Sequence, residues 1–280
     1  MTGALTIRFL WALGILDREP YHPLHNPRLL ITVLSPYECE WVWSQYMDSL
    51  WDDRTTDLTA SADFSNPRFE RYIKSMIRRH LFARQATRFL NKNPVNCLRM
   101  GYLHKLFPDA RFINIVRDPI DTILSHYRTA GRIENLYYPE PITKLIYEKY
   151  HHVDVLSRRI KTCDYARTIA LNQEHPLLGI AHQWAEMQLA IFEATHSDSD
   201  LASQLFDFRY EELVSQPENI LGMLWDFVEL EDEHTQQITQ DYVSRLAPPP
   251  PKEPSDEEWK YMPRIQEIVA PVANRLGYSL

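Results

Sequence analysis

FINIVRDPIDTILSHY, from Phe112 to Tyr127, decides how the rest of the chain is read. Its first half is an apolar, β-branched run without polar alternation, the pattern of a short strand covered on both faces of a parallel sheet. Its second half opens on Pro119, whose missing N–H has no intrahelical partner in a first turn, with Asp118 placed to cap the helix. Arg117 stands between them. In an open parallel sheet, ligands bind at the carboxyl ends of strands, where the next helix turns its positive dipole end and free N–H groups outward. A guanidinium there adds a bidentate fork for phosphate oxygens. Ser125, eight residues on, lies about two turns along the helix and close to the same face. Strand end, helix start and hydroxyl converge on phosphate. The competing reading is a capping ion pair between Arg117 and Asp118, with Ser125 a small packing residue.

Other short apolar runs repeat the pattern: Leu29–Leu34 (LLITVL), Arg88–Asn91 (RFLN), Arg111–Val116 (RFINIV) and Gln204–Phe208 (QLFDF). Helical periodicity covers Pro67–Gln85, Cys97–Leu106, Ile142–Arg159, Pro176–Thr195, Ile220–Val228 and Asp256–Arg275. Strands separated by helices imply crossover units and an α/β sheet with helices on its faces. The polar stretch Asp57–Pro67 reads as a surface loop. Pro248–Pro251 reads as an exposed polyproline tether to the last helix. No internal repeat divides the chain, so residues 1–280 are expected to form a single domain.

Composition narrows the function. With 44% hydrophobic and 24% charged residues in 280, the chain is apolar enough to fold and long enough to bury a substantial core. A net charge of -8 argues against wrapping nucleic acid or coating an anionic membrane, both of which need a dominant basic field. Cys39, Cys97 and Cys163 are widely spaced and show no zinc spacing. The apolar run Phe9–Leu16 is too short to span a bilayer and lacks a cleavage pattern. A reducing, cytoplasmic setting is expected. His151 and His152 are helix neighbours that diverge and cannot chelate one ion together, and Glu229–His234 reads as an exposed helix start.

The run Phe89–Ser125, FLNKNPVNCLRMGYLHKLFPDARFINIVRDPIDTILS, resembles the sulfotransferase superfamily, which transfers sulfuryl groups from 3'-phosphoadenosine 5'-phosphosulfate (PAPS). That family places a Lys-x-Pro strand end, a helix, an FPDArFI strand and an Arg-Asp-Pro…Ser element in this order. Phe208–Leu213 (FRYEEL) with Pro217, the closing Trp259–Tyr278 segment, and Pro36–Trp43 (PYECEWVW) are similar to further elements of bacterial and tyrosylprotein-type members. The resemblance implies a three-layer, P-loop-like α/β fold with a short, mostly parallel sheet flanked by many helices. It implies PAPS as sulfuryl donor, a hydroxyl or amine acceptor and no metal.

The resemblance also implies roles. Arg117 and Ser125 would bind the 3'-phosphate. Tyr210 would lie near the adenosine. Lys92, before Asn93 and Pro94, would stabilise negative charge developing in transfer. Glu38 matches the family's acidic residue and would take the acceptor's proton; Glu40 competes, since Tyr37, Trp41 and Trp43 can raise either carboxyl. One family element is missing: the PRSGTT-like loop that grips the 5'-phosphosulfate. Such loops need glycine where backbone approaches phosphate, and none of the seven glycines lies between Gly14 and Gly101. Leu5–Gly14 resembles instead the stretch that follows the loop helix. The expectation is an N-terminally truncated domain whose first central strand is missing. The alternative reading is a non-catalytic nucleotide-binding or interaction module that has lost the loop. A nucleotide kinase is disfavoured, because no GxxxxGK[ST] loop occurs.

Overall fold

A computed structural model of the chain describes residues 60–133, 165–230, 233–246 and 253–280. The expected strand Leu29–Leu34, Glu38 and Glu40, the expected helix Ile142–Arg159 with His151 and His152, and Pro248–Pro251 lie outside the described residues. No helix among the described residues is long and apolar enough to cross a membrane.

Helix α1 (Pro67–Arg84) starts because Asn66 accepts a hydrogen bond from Phe69 N at 3.1 Å and Pro67 fills the first turn. It ends on Gln85, whose φ of 50° breaks the helical path. A 3-10 turn over Pro94–Arg99, capped by the Asn93 side chain, leads into α2 (Met100–Leu106). The helix read over Cys97–Leu106 therefore begins later, at Met100, after a tighter turn. Strand β1 (Phe112–Val116) follows, then α3 (Pro119–Ile133). Two helices, α4 (Tyr165–Glu174) and α5 (Pro176–Ser197), and the single turn α6 (Ser199–Ser203) lead to β2 (Leu205–Arg209). Then come α7 (Tyr210–Ser215), α8 (Pro217–Val228), α9 (Glu233–Arg245) and α10 (Asp256–Arg275).

The described sheet is one parallel pair, with Phe112 opposite Leu205 and Val116 opposite Arg209. The molecule is thus a helix-rich α/β protein with a short parallel sheet. Two expectations need correction. Arg88–Asn91 is not a strand: it runs without strand pairing among the described residues, and Leu90 is 82% exposed. Its anchor is a side chain, Arg88, which donates to the carbonyls of Val228 and Glu229. A short apolar run becomes a strand only where a neighbouring edge takes up its N–H and C=O groups. Nor is β1 covered on both faces, since Ile115 is 56% exposed while Val116 is buried.

The main core forms where α5 lies against α3 and α10, joining Ile123 and Leu124, Leu177 and Ala181, and Ile265 and Val269. Burying each large aliphatic side chain is worth about 1.5–3 kcal/mol. Helix α4 comes close enough to α5 that a Cβ on Gly179 would stand 2.6 Å from Asn172 Cβ, so the residue at this crossing must lack a side chain. A second cluster packs α1 on α2 through Phe69, Ile73, Tyr102 and Leu106.

Candidate functional site

Because Val116 is paired with Arg209, both strands stop at the same level. The next residue of each chain segment, Arg117 and Tyr210, therefore emerges at one rim of the sheet. The Arg117 guanidinium lies 5.3 Å from the centre of the Tyr210 ring, within cation–π range. Its terminal nitrogen donates to Asp121 Oδ2 at 2.6 Å, in the first turn of α3. The partner is Asp121 and not Asp118, which is engaged elsewhere. Asp118 caps α3 by accepting from Asp121 N at 2.9 Å, and its carbonyl accepts from the Thr122 hydroxyl at 2.8 Å. Burial pushes the Asp118 carboxyl up, and the charges of Asp121 and Glu211 add to the push.

Glu211 ties the rim together. Its Oε1 accepts from Asp118 N at 2.9 Å, and its Oε2 accepts from the Tyr278 hydroxyl at 2.9 Å. Burial and the Glu211 charge hold the Tyr278 phenol above its ordinary range. The second residue of α7 thereby fixes the start of α3 and the end of the chain at once. At the start of α7, Glu212 Oε2 accepts from Arg209 N at 3.1 Å, and its Oε1 accepts from the Arg209 guanidinium at 2.7 Å.

A cavity of about 510 Å³ opens at this rim, walled by Arg117 and Tyr210, by Thr122, Ser125 and His126 of α3, and by Trp184 and Gln188 of α5. The geometry brings Arg117, Ser125 and Tyr210 to one cavity. Inside the ion pair the Arg117 Nε is buried and has no hydrogen-bond partner among the described residues. The cavity therefore presents a guanidinium and a hydroxyl to an anion.

Lys92 is placed apart. It is exposed, lies outside helix and strand just before Asn93, and does not line the cavity. Glu38 and Glu40 lie outside the described residues. Trp184, Gln188 and Glu211 were not singled out from sequence. For Glu211 a signal existed, its place in FRYEEL directly after the strand; for Trp184 and Gln188 none did, because they sit mid-helix among other apolar and polar residues. Among the described residues no three His, Cys, Asp or Glu side chains gather into a metal site.

Residues 37–174 match the model of a family described as the Sulfotransferase family. The match supports membership of the sulfotransferase superfamily. No curated protein and no solved structure matches it. The matched span runs from before α1 to the last residue of α4. It contains Lys92, Arg117 and Ser125 and stops short of Tyr210. The match supports a transferase.

Proposed function

We propose that this chain binds PAPS by its 3'-phosphate at the rim where Arg117 leaves β1, and moves the sulfuryl group to a hydroxyl or amine acceptor. One observation carries the reading: Arg117 shares a cavity with Ser125 and Tyr210, at the start of a helix, with a buried N–H that no described residue accepts from. Its Asp121 partner is 41% exposed, a surface-type pair worth little and readily exchanged for a phosphate.

PAPS brings an activated sulfuryl group on a phosphate leaving group. The chain's own residues bind and orient. Arg117 grips phosphate oxygens as a fork, Ser125 donates its hydroxyl, and the Tyr210 ring supports the guanidinium and borders the nucleoside. Lys92, by its position in the family motif, would balance charge on the departing oxygen. Glu38, with Glu40 as its competitor, would accept the proton the acceptor loses as its oxygen or nitrogen bonds to sulfur. Proximity and fixed charge supply most of the rate in such a scheme.

The second reading, a nucleotide-binding module without catalysis, is favoured by the placement of Lys92 away from the cavity. Calorimetry on the full chain tests the shared claim. Adenosine 3',5'-bisphosphate is expected to bind more tightly than adenosine 5'-monophosphate; equal affinity refutes the 3'-phosphate assignment. Release of the bisphosphate from PAPS in the presence of acceptor then separates the enzyme from the module.

A further inference from the structure

Two groups in the walls of the cavity are unsatisfied, and they are of opposite kind. The Arg117 Nε is a donor without an acceptor, and the Gln188 Oε1 is an acceptor without a donor, each buried and without a hydrogen-bond partner among the described residues. Buried polar groups are nearly always paired, and an unpaired one carries a desolvation penalty. Because both residues line one cavity, a ligand that presents an anion and a hydrogen-bond donor would satisfy both side chains. Gln188 is one helical turn beyond Trp184, which also lines the cavity, so the amide projects from the same face of α5. The last torsion of a glutamine side chain is broad, so its oxygen turns toward a ligand at little cost.

We propose that Gln188 accepts a hydrogen bond from the ribose 2'-hydroxyl of the bound nucleotide and so makes this site selective for ribonucleotides over 2'-deoxyribonucleotides. The proposal rests on the 3'-phosphate reading. When Arg117 holds a 3'-phosphate, the donor nearest that phosphate is the hydroxyl on the adjacent ribose carbon. An acceptor in the same cavity wall is then matched to it chemically. His126 and Thr122 line the cavity as well, but of the three only Gln188 has a buried acceptor without a hydrogen-bond partner among the described residues. Gln188 supplies the unmet acceptor.

The test is calorimetry with three probes, adenosine 3',5'-bisphosphate, its 2'-deoxy counterpart and adenosine 5'-monophosphate, on the wild-type chain and on Gln188→Met and Gln188→Glu. The wild type is expected to prefer the ribose bisphosphate about tenfold, the size of one neutral hydrogen bond. Gln188→Met is expected to bring that ratio to about one while still preferring the bisphosphate over the monophosphate. Gln188→Glu, which keeps an acceptor, is expected to retain the ribose preference while weakening both bisphosphates by like charge. A wild-type ratio near one, or a ratio unchanged in Gln188→Met, overturns the proposal, and the wild-type measurement decides even if the variants do not fold. Loss of the ribose preference in Gln188→Glu overturns the acceptor role. Loss of the 3'-phosphate preference in Gln188→Met assigns the amide to the phosphate instead, which also overturns it. A wild type that binds bisphosphate and monophosphate equally sinks the 3'-phosphate reading, and this proposal with it.

Discussion

Arg128 lies on helix α3 and Arg117 stands just before it, and both are ion-paired, yet they are built for different ends. Arg128 meets Glu258 of α10 with two bonds, Nε to Oε1 at 2.8 Å and a terminal nitrogen to Oε2 at 2.6 Å, and donates again to the Glu253 carbonyl. Glu258 is itself the reciprocal cap of α10, taking a bond from Ser255 N at 2.7 Å, and its side chain is only 5% exposed. Every bond-forming group of that carboxylate is occupied, and its pKa is held down to about 2, chiefly by the Arg128 hydrogen bonds. Arg117, by contrast, makes one bond to a half-exposed aspartate, keeps an unmet buried N–H, and faces a cavity. A charge pair that is complete belongs to the framework. One that is incomplete and borders open space is available to a ligand.

The contrast is broken most directly by deleting each guanidinium and measuring urea unfolding. Arg128→Ala leaves a buried carboxylate without its partner and is expected to lower stability by about 3 kcal/mol or more. Arg117→Ala is expected to change stability by less than about 1 kcal/mol. Equal losses would erase the distinction between frame and site.

Acid unfolding sharpens it. Glu258 titrates near 2 in the folded chain against an ordinary 4.5, so its carboxylate stabilises the fold fully above about pH 4.5. That contribution drains as the pH falls toward 2. A drop of this size corresponds to roughly 3 kcal/mol. The stability gap between wild type and Arg128→Ala is therefore expected to narrow over that interval; a gap constant from pH 6 to pH 3 contradicts the assignment.

On the ligand side, Arg117→Ala is expected to weaken adenosine 3',5'-bisphosphate by about 1.5–3 kcal/mol, the range for a hydrogen bond to a charged group. Binding of the 5'-monophosphate should scarcely change, and parallel losses for both nucleotides would remove Arg117 from phosphate recognition. The smallest effect is expected from Asp121→Asn. A phosphate then no longer displaces a carboxylate, and bisphosphate affinity should rise by about 0.5–1 kcal/mol. Weaker binding in calorimetry would show instead that Asp121 orients the arginine.

Much of this was readable along the chain, and the failures follow a pattern. Asp256–Arg275 was bounded correctly because both its signals are local: Ser255 and Glu258 make a capping box, and apolar residues recur at helical spacing. The strand–Arg-Asp-Pro–helix element was legible for the same reason, since Pro119 and Asp118 declare a helix start within three residues. Arg88–Asn91 was misread because a run of four residues needs a partner edge to become a strand, and nothing in its own residues reports whether that edge exists. The shorter helix Tyr165–Glu174 was missed, and of Glu233–Arg245 only the start was read, in Glu229–His234, because the apolar stripe is weak there and neighbouring elements select the state.

The sequence by itself therefore determined the resemblance to the sulfotransferase superfamily, the strand that ends on Arg117 before a capped helix, and the spacing that puts Ser125 two turns along that helix. Only the tertiary structure decided that Arg117 stands over Tyr210, that it pairs with Asp121, and that Gln188 from α5 shares its cavity. Caps and turns are written within a few residues, where backbone geometry links them. Contacts between Val116 and Arg209, or between Glu211, Asp118 and Tyr278, depend on strand register and helix packing over 60 to 100 residues of separation. No local pattern encodes those, because many sequences with the same caps can settle in different registers and the buried surface of the whole fold selects one.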